Sequence, residues 1–418
     1  MGRSYECGVR RRLCQVISGA VSALSAVGLV VLIPRGVRAD DGARPMVQIA
    51  KIQEVDGIFK APLEDGSSAE LTLDPALQKS AARLLQRARP IEGAITMIHA
   101  RTGRVLVFAE QTKKGASAGS VLLASRQPAA SVFKLVTTTA LLEQRVVSAK
   151  TEVCTAGGSH RIERQHLEPP RKGRVVCSPF GLALGHSRNA AFAQLATAHL
   201  SRDELGDAAR RYGFNRALPF DARALFGTVS IPVGDLDFAR TAAGFSGSTL
   251  SPLGAAQLAY TVATGGRRMR IRMVARADGF EAPEGREMLG RVTDEWTASR
   301  LARMMEVTVA AGTSAEAFAD PTGRPYLPHM RVAGKTGTLQ PRPDQPTTSW
   351  FTGFAPSKKP EVIVSVLLVN GKSWRRKANE VARDMLRVYF HSRGRRGVSD
   401  PFEDSSTPAD APARSAKR

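Results

Sequence analysis

The sequence predicts an α/β fold: about five strands in one antiparallel sheet, helices on its faces, and a helical subdomain inserted between the strands. Three observations lead there. Strand-like runs occur towards both ends of the chain, a long stretch rich in Ala and Leu separates them, and the composition is that of a folded protein, 43% hydrophobic and 23% charged. The 418 residues suffice for one large domain or two ordinary ones.

The elements follow in chain order. Arg10, Arg11 and Arg12 precede an apolar run from Leu13 to Ile33, closed by Pro34 and followed by Val37-Arg38-Ala39. Residues 1–39 therefore read as an export signal or as a retained single span, and either places the remainder outside the cytoplasm. Residues 40–68 read as an extended polar lead-in, and 69–395 as the packed domain. Asp74-Pro75 is a helix start, and "ALQKSAARLLQRA" continues it with helical periodicity. "GAITMIHA" and "GRVLVFAE" are strands joined at Arg101-Thr102-Gly103. Residues 129 to 325 read as mostly helical, including an Arg-rich insert over 267–303. Strand patterns return in "RVAGKTGTL", "SWFTGFA" and "EVIVSVLLV", and "ANEVARDMLRVYF" is a closing amphipathic helix. Residues 396–418 are poor in apolar side chains and read as a disordered tail. Cys154 and Cys177 are the only cysteines beyond the leader, and an oxidising compartment favours a disulfide between them. His160 and His166 lie between, but the spacing is not that of a zinc finger.

Three short motifs carry chemistry. Ser131 and Lys134 lie three apart at the start of an apolar helix, "PAASVFKLVTTTALLEQ", so they share one face. Burial lowers a lysine's pKa, and a neutral amine can serve as the base that a serine nucleophile needs. The Ser131 amide, at a helix start, is also free to bind an oxyanion. Ser187 and Asn189, in "GHSRNAAFAQLA", supply a second hydroxyl able to pass a proton and an amide able to grip a peptide bond. Lys335, Thr336, Gly337 and Thr338, in "VAGKTGTL", suit a carboxylate on an edge strand, where Gly337 permits a close approach. The glycine frame of a phosphate loop is absent.

Read together, S-x-x-K, S-x-N and K-T-G-T in this order and setting resemble the penicillin-binding proteins and serine β-lactamases. The closer similarity is to the penicillin-binding protein transpeptidase domain, carried also by "LTLDPALQ", "YGFN", "AGFSGSTLSPLGAAQLAYTVATGG" and "SWFTGFAP", over about 70 to 392. The resemblance implies a β-lactamase/transpeptidase-like fold and a D,D-transpeptidase that cross-links peptidoglycan stem peptides and is inhibited by β-lactams. It implies Ser131 as nucleophile, Lys134 as base, Ser187 as proton relay and Asn189 as aligner of the donor peptide. Lys335, Thr336 and Thr338 would hold the terminal carboxylate, and the amides of Ser131 and Thr338 would form the oxyanion hole. No metal or cofactor is required, and cell-wall synthesis or division proteins are the expected partners. Localisation would be the bacterial envelope, on the cytoplasmic membrane if the leader is uncut. Residues 40–68 are too few for the usual pedestal domain.

Rivals differ in what resolves the acyl-enzyme. A class A β-lactamase needs a glutamate for its water, and none occurs from Ala208 through Phe280; a class D β-lactamase, which uses a modified lysine instead, stays open, though the domain is large for one. A D,D-carboxypeptidase differs only in its acceptor and is the hardest rival to remove; a non-catalytic sensor of β-lactams or muropeptides is a further alternative, against which stands a motif set with nothing missing. The +22 net charge suggests nucleic acid, but 6% aromatics and no basic–aromatic pattern point instead to an anionic envelope.

Overall fold

The computed structural model describes residues 46–394 except 113–114, 341–343 and 373, all within one compact unit. The leader and the tail lie outside the described residues. Among the described residues no helix is long and apolar enough to cross a membrane.

The expected antiparallel sheet is present. Its strands are β1 (Glu92–His99), β2 (Val105–Gln111), β3 (Ala333–Leu339), β4 (Thr347–Ala355) and β5 (Val362–Asn370), in the order β3-β4-β5-β1-β2. Every residue of β4 and β5 is buried. Both faces are covered, which is why these strands read as unbroken apolar runs instead of alternating ones. The alternation survives as a division between two cores. Trp350, Phe354, Ile363 and Leu367 join the core under the helical subdomain. Phe351, Val364, Val366 and Leu368 pack with helices α1 (Pro75–Ala88) and α9 (Ala378–Gly394) on the other face. Each fully buried side chain of this kind stabilises the fold by roughly 1.5–3 kcal/mol.

The inserted part holds α2 (Lys134–Glu143), α3 (Phe180–Gly185), α4 (Asn189–His199), α5 (Arg202–Tyr212), α6 (Asp235–Ala242), α7 (Pro252–Ala263) and α8 (Glu295–Ala310). Helix α2 is buried on all sides from Lys134 to Leu142. Its threonines are tolerated there because each hydroxyl returns to a carbonyl: Thr138 to Lys134 at 2.7 Å, Thr139 to Leu135 at 2.9 Å and Thr137 to Ala242 at 2.8 Å.

Two expectations need correction. Residues 40–68 are not a bare lead-in. Gln53–Val55, Ile58–Pro62 and Ser68–Leu71 form a second five-stranded sheet with Val274–Ala277 and Phe280–Glu281, so the boundary at 69 falls inside a strand. The signal was Asp56-Gly57, both with positive φ, a two-residue hairpin turn pairing Val55 with Ile58. Nor is 267–303 a helical insert: Arg267–Met269, Val274–Ala277 and Met288–Arg291 are strands, and only α8 is helical. In "RRMRIRM" the apolar residues fall at every second position, and Met269, Ile271 and Met273 are all buried. Cys154 and Cys177 are joined as a disulfide, directly opposite each other in the hairpin Glu152–Thr155/Val176–Pro179. His166 Nδ1 accepts from the Glu163 amide at 3.0 Å.

Candidate active site

Ser131 lies in a 3-10 turn, Ala130–Phe133, that leads into α2. The chain enters it through Ala130 at φ 48°. A non-glycine residue in the left-handed region is uncommon and is held only by its surroundings. Two of them are visible. Trp350 Nε1 donates to the Pro128 carbonyl at 2.9 Å, tying β4 to the approach. Gly244, at φ +80°, brings the end of α6 so close that a Cβ there would sit 2.2 Å from the Ala130 oxygen.

Lys134 is wholly buried. Its Nζ donates to Ser131 Oγ at 2.7 Å, to Asn189 Oδ1 at 2.6 Å and to the Ala243 carbonyl at 2.7 Å, just past the end of α6. Burial holds its pKa well below the usual lysine value, and the nearby Lys335 cation lowers it further. The three partners define what this amine can do once it has lost a proton. Asn189 Oδ1 and the Ala243 carbonyl can only accept, so they take its two N–H groups. The lone pair is left facing the Ser131 hydroxyl.

Ser187 sits at φ 57° in the turn between α3 and α4, and Asn189 is the first residue of α4. Lys335, on the edge strand β3, is also wholly buried. Its Nζ donates to Ser187 Oγ at 3.0 Å and to the Thr336 carbonyl at 2.8 Å. Burial lowers its pKa to about 7. Because Ser187 Oγ accepts from Lys335, its own hydrogen is free to be donated elsewhere. A Cβ on Gly337 would lie 3.3 Å from the Ala130 Cβ, so this glycine lets β3 run close beside the Ser131 turn. Thr338 is exposed and paired in register with Ser349 of β4.

The structure thus brings Ser131, Lys134 and Asn189 into one hydrogen-bonded group. Ser187, Lys335 and Thr336 form a second, and the two lysines are in electrostatic reach. Sequence reasoning missed two contributors. The Ala243 carbonyl has no side-chain signature, although the glycine after it was a signal. Thr313 Oγ1 lies 2.5 Å from Thr336 Oγ1, and its neighbour Gly312 packs so tightly that a Cβ would meet the Gly185 oxygen at 2.3 Å.

Known proteins resemble this chain. "Peptidoglycan D,D-transpeptidase PbpA" of Mycobacterium tuberculosis is 25% identical over 345 residues, covering 73% of this chain and 68% of that protein. "Stage V sporulation protein D" of Bacillus subtilis is 24% identical over 258 residues, 58% of this chain and 38% of its own length. Among solved structures, PbpA of Mycobacterium tuberculosis superposes with a TM-score of 0.62 at 22% identity, covering 78% of this chain and 81% of that one. The D,D-transpeptidase domain of an Eggerthella lenta peptidoglycan glycosyltransferase gives 0.64 at 20% identity, covering 84% and 99%. Both share the fold. The sequence model of the penicillin-binding protein transpeptidase domain matches residues 93–387, from the start of β1 into α9 and across all three motifs, and the chain belongs to that family.

Proposed function

We propose that this chain is a peptidoglycan D,D-transpeptidase that works through an acyl-enzyme on Ser131. The observation that carries the reading is the saturation of Lys134: two carbonyl-type acceptors and one serine hydroxyl, all within 2.7 Å, and no water-exposed surface. Such an amine is a base aimed at one proton.

Lys134 takes the Ser131 proton as Oγ attacks the carbonyl of the D-Ala–D-Ala bond. The tetrahedral oxyanion is received by the amides of Ser131 and Thr338. Ser187 donates its hydroxyl proton to the departing D-alanine nitrogen, and the proton held by Lys134 replaces it. The C–N bond breaks and an ester remains on Ser131. Asn189 aligns the donor peptide, and Lys335, Thr336 and Thr338 hold its terminal carboxylate. That carboxylate favours the charged form of Lys335, which burial alone disfavours. An amine of a second stem peptide then attacks the ester, its proton passes to Lys134 and on to Ser131 Oγ, and a cross-link is made. β-Lactams, which present a reactive amide and a carboxylate in the same relation, acylate Ser131 and stay. The enzyme works in the bacterial envelope outside the cytoplasm, held at the membrane by residues 13–33 where these are retained. Cell-wall synthesis or division proteins are its expected partners.

The test is covalent labelling with a fluorescent penicillin, which requires Ser131 and is abolished by Ser131→Ala. An unlabelled wild type rejects the acyl-enzyme. Incubation with a stem-peptide donor, with and without an amine acceptor, then separates transfer from hydrolysis: release of D-alanine with no cross-linked product makes the chain a carboxypeptidase.

A further inference from the structure

The segment between the two cysteines has no part in the steps of acylation, yet it grips the turn that carries two of the acting groups. The Ser159 carbonyl accepts from Asn189 Nδ2 at 2.6 Å. Ser178 Oγ, on the strand that carries Cys177, accepts from Arg188 at 2.9 Å. Both anchors fall on the Ser187-Arg188-Asn189 turn: Ser159 lies within the loop that the disulfide closes, and Ser178 lies one residue beyond it, on the same strand as Cys177. The segment is also packed down: Ile162 and His166 are buried, Arg240 Nε donates to the Ile162 carbonyl at 3.1 Å, and Gln194 donates to the Glu168 carbonyl at 3.1 Å.

A carbonyl can only accept, so it selects which end of the Asn189 amide faces it. The amino group must turn towards Ser159, and Oδ1 is thereby turned towards Lys134. Were the amide reversed, an N–H would face Lys134 and capture the lone pair that otherwise meets Ser131. We propose that the disulfide-closed segment Cys154–Cys177 is a positioning element for acylation, its Ser159 carbonyl fixing the Asn189 amide so that Lys134 is aimed at Ser131. This rests on the acyl-enzyme reading.

Three variants test it: Cys154→Ser with Cys177→Ser, which opens the segment; Gly158→Ala, which keeps the disulfide but sets a Cβ 2.8 Å from that of Ala190 at φ +76°; and Ser178→Ala, which removes one anchor only. The second-order rate of penicillin acylation is followed from about pH 5 to about pH 10, beside thermal unfolding. The expected result for the first two is a rate ceiling lowered about ten- to a hundredfold. The acid limb also moves to lower pH, because an N–H facing Lys134 disfavours its charged form. Ser178→Ala shifts both in the same direction by less. A lower melting temperature with unchanged rate and pH profile overturns the proposal and leaves the segment a structural brace. If the cysteine variant does not fold, the other two decide. A wild type that resists acylation fails the acyl-enzyme reading itself, and this inference with it. A wild type that is acylated, with variants that match it, fails this inference alone.

Discussion

Lys134 and Lys335 are both wholly buried, and among the described residues neither is met by a carboxylate. Their surroundings nevertheless differ in kind. Lys134, at the foot of α2, has two fixed acceptors, Asn189 Oδ1 and the Ala243 carbonyl, that leave it one direction in which to act. Lys335, on the edge strand, has a rotatable hydroxyl and a carbonyl of its own strand. In the proposed mechanism the first arrangement suits a base and the second suits a receptor for an anion. Burial lowers both pKa values, and the arrangement of acceptors is what distinguishes the two.

The comparison breaks most visibly at Lys134→Met, which keeps the volume and removes the base. Acylation by fluorescent penicillin should fall by about 10³-fold or more, in the range of general-base contributions. A loss of less than about tenfold would mean that Ser131 is activated by something else. Lys335→Met should cost about 10- to 100-fold, the worth of a charge-assisted hydrogen bond. The cost should vanish for a donor whose terminal carboxylate is esterified. If the ester suffers equally, Lys335 is not the carboxylate's partner.

The pH dependence sharpens the same contrast. In the free enzyme the acylation constant should rise as Lys134 loses its proton and fall as Lys335 loses its own, near pH 7. Lys335→Met should flatten the alkaline limb and move the acid one to higher pH, because the cation that helps hold the Lys134 pKa down is gone. Stability carries the opposite sign. The folded pKa of Lys335 lies below its unfolded value, so the unfolded chain binds more protons between about 7 and 10.5. The burden this lysine places on the fold is full below that window and fades as pH rises through it. Lys335→Met should therefore raise the melting temperature more at pH near 6 than at pH near 9, and an equal gain at both would argue that Lys335 is charged when buried. The smallest effect is expected at Thr313→Val. Loss of its contact with Thr336 should weaken carboxylate-bearing donors by a few-fold, about 1 kcal/mol, read as a raised KM with kcat kept.

Much of the central sheet was legible because its strands are long and buried on both faces, so composition alone marks them. The second sheet was not. Its strands are three to five residues long where they precede α1, and they are completed by Val274–Ala277, some two hundred residues later. The turn at Asp56-Gly57 and the alternation in "RRMRIRM" were present, but an arginine-rich context resembles a solvated helix face as readily as a strand. At the site, the residues that announce themselves are those with reactive side chains. Backbone contributors such as the Ala243 and Ser159 carbonyls have no letter of their own. Thr313 was indistinguishable from the other threonines around it.

What the sequence determined by itself was the set of reactive groups, the apolar setting of two of them, and the α/β pattern, because residue type and periodicity are local properties. Only the tertiary structure decided which atoms surround each lysine. Carbonyl positions depend on where distant helices end, and it is the meeting of the α6 terminus, the α3–α4 turn and the edge strand that gives the two buried amines the different partners on which the proposed mechanism rests.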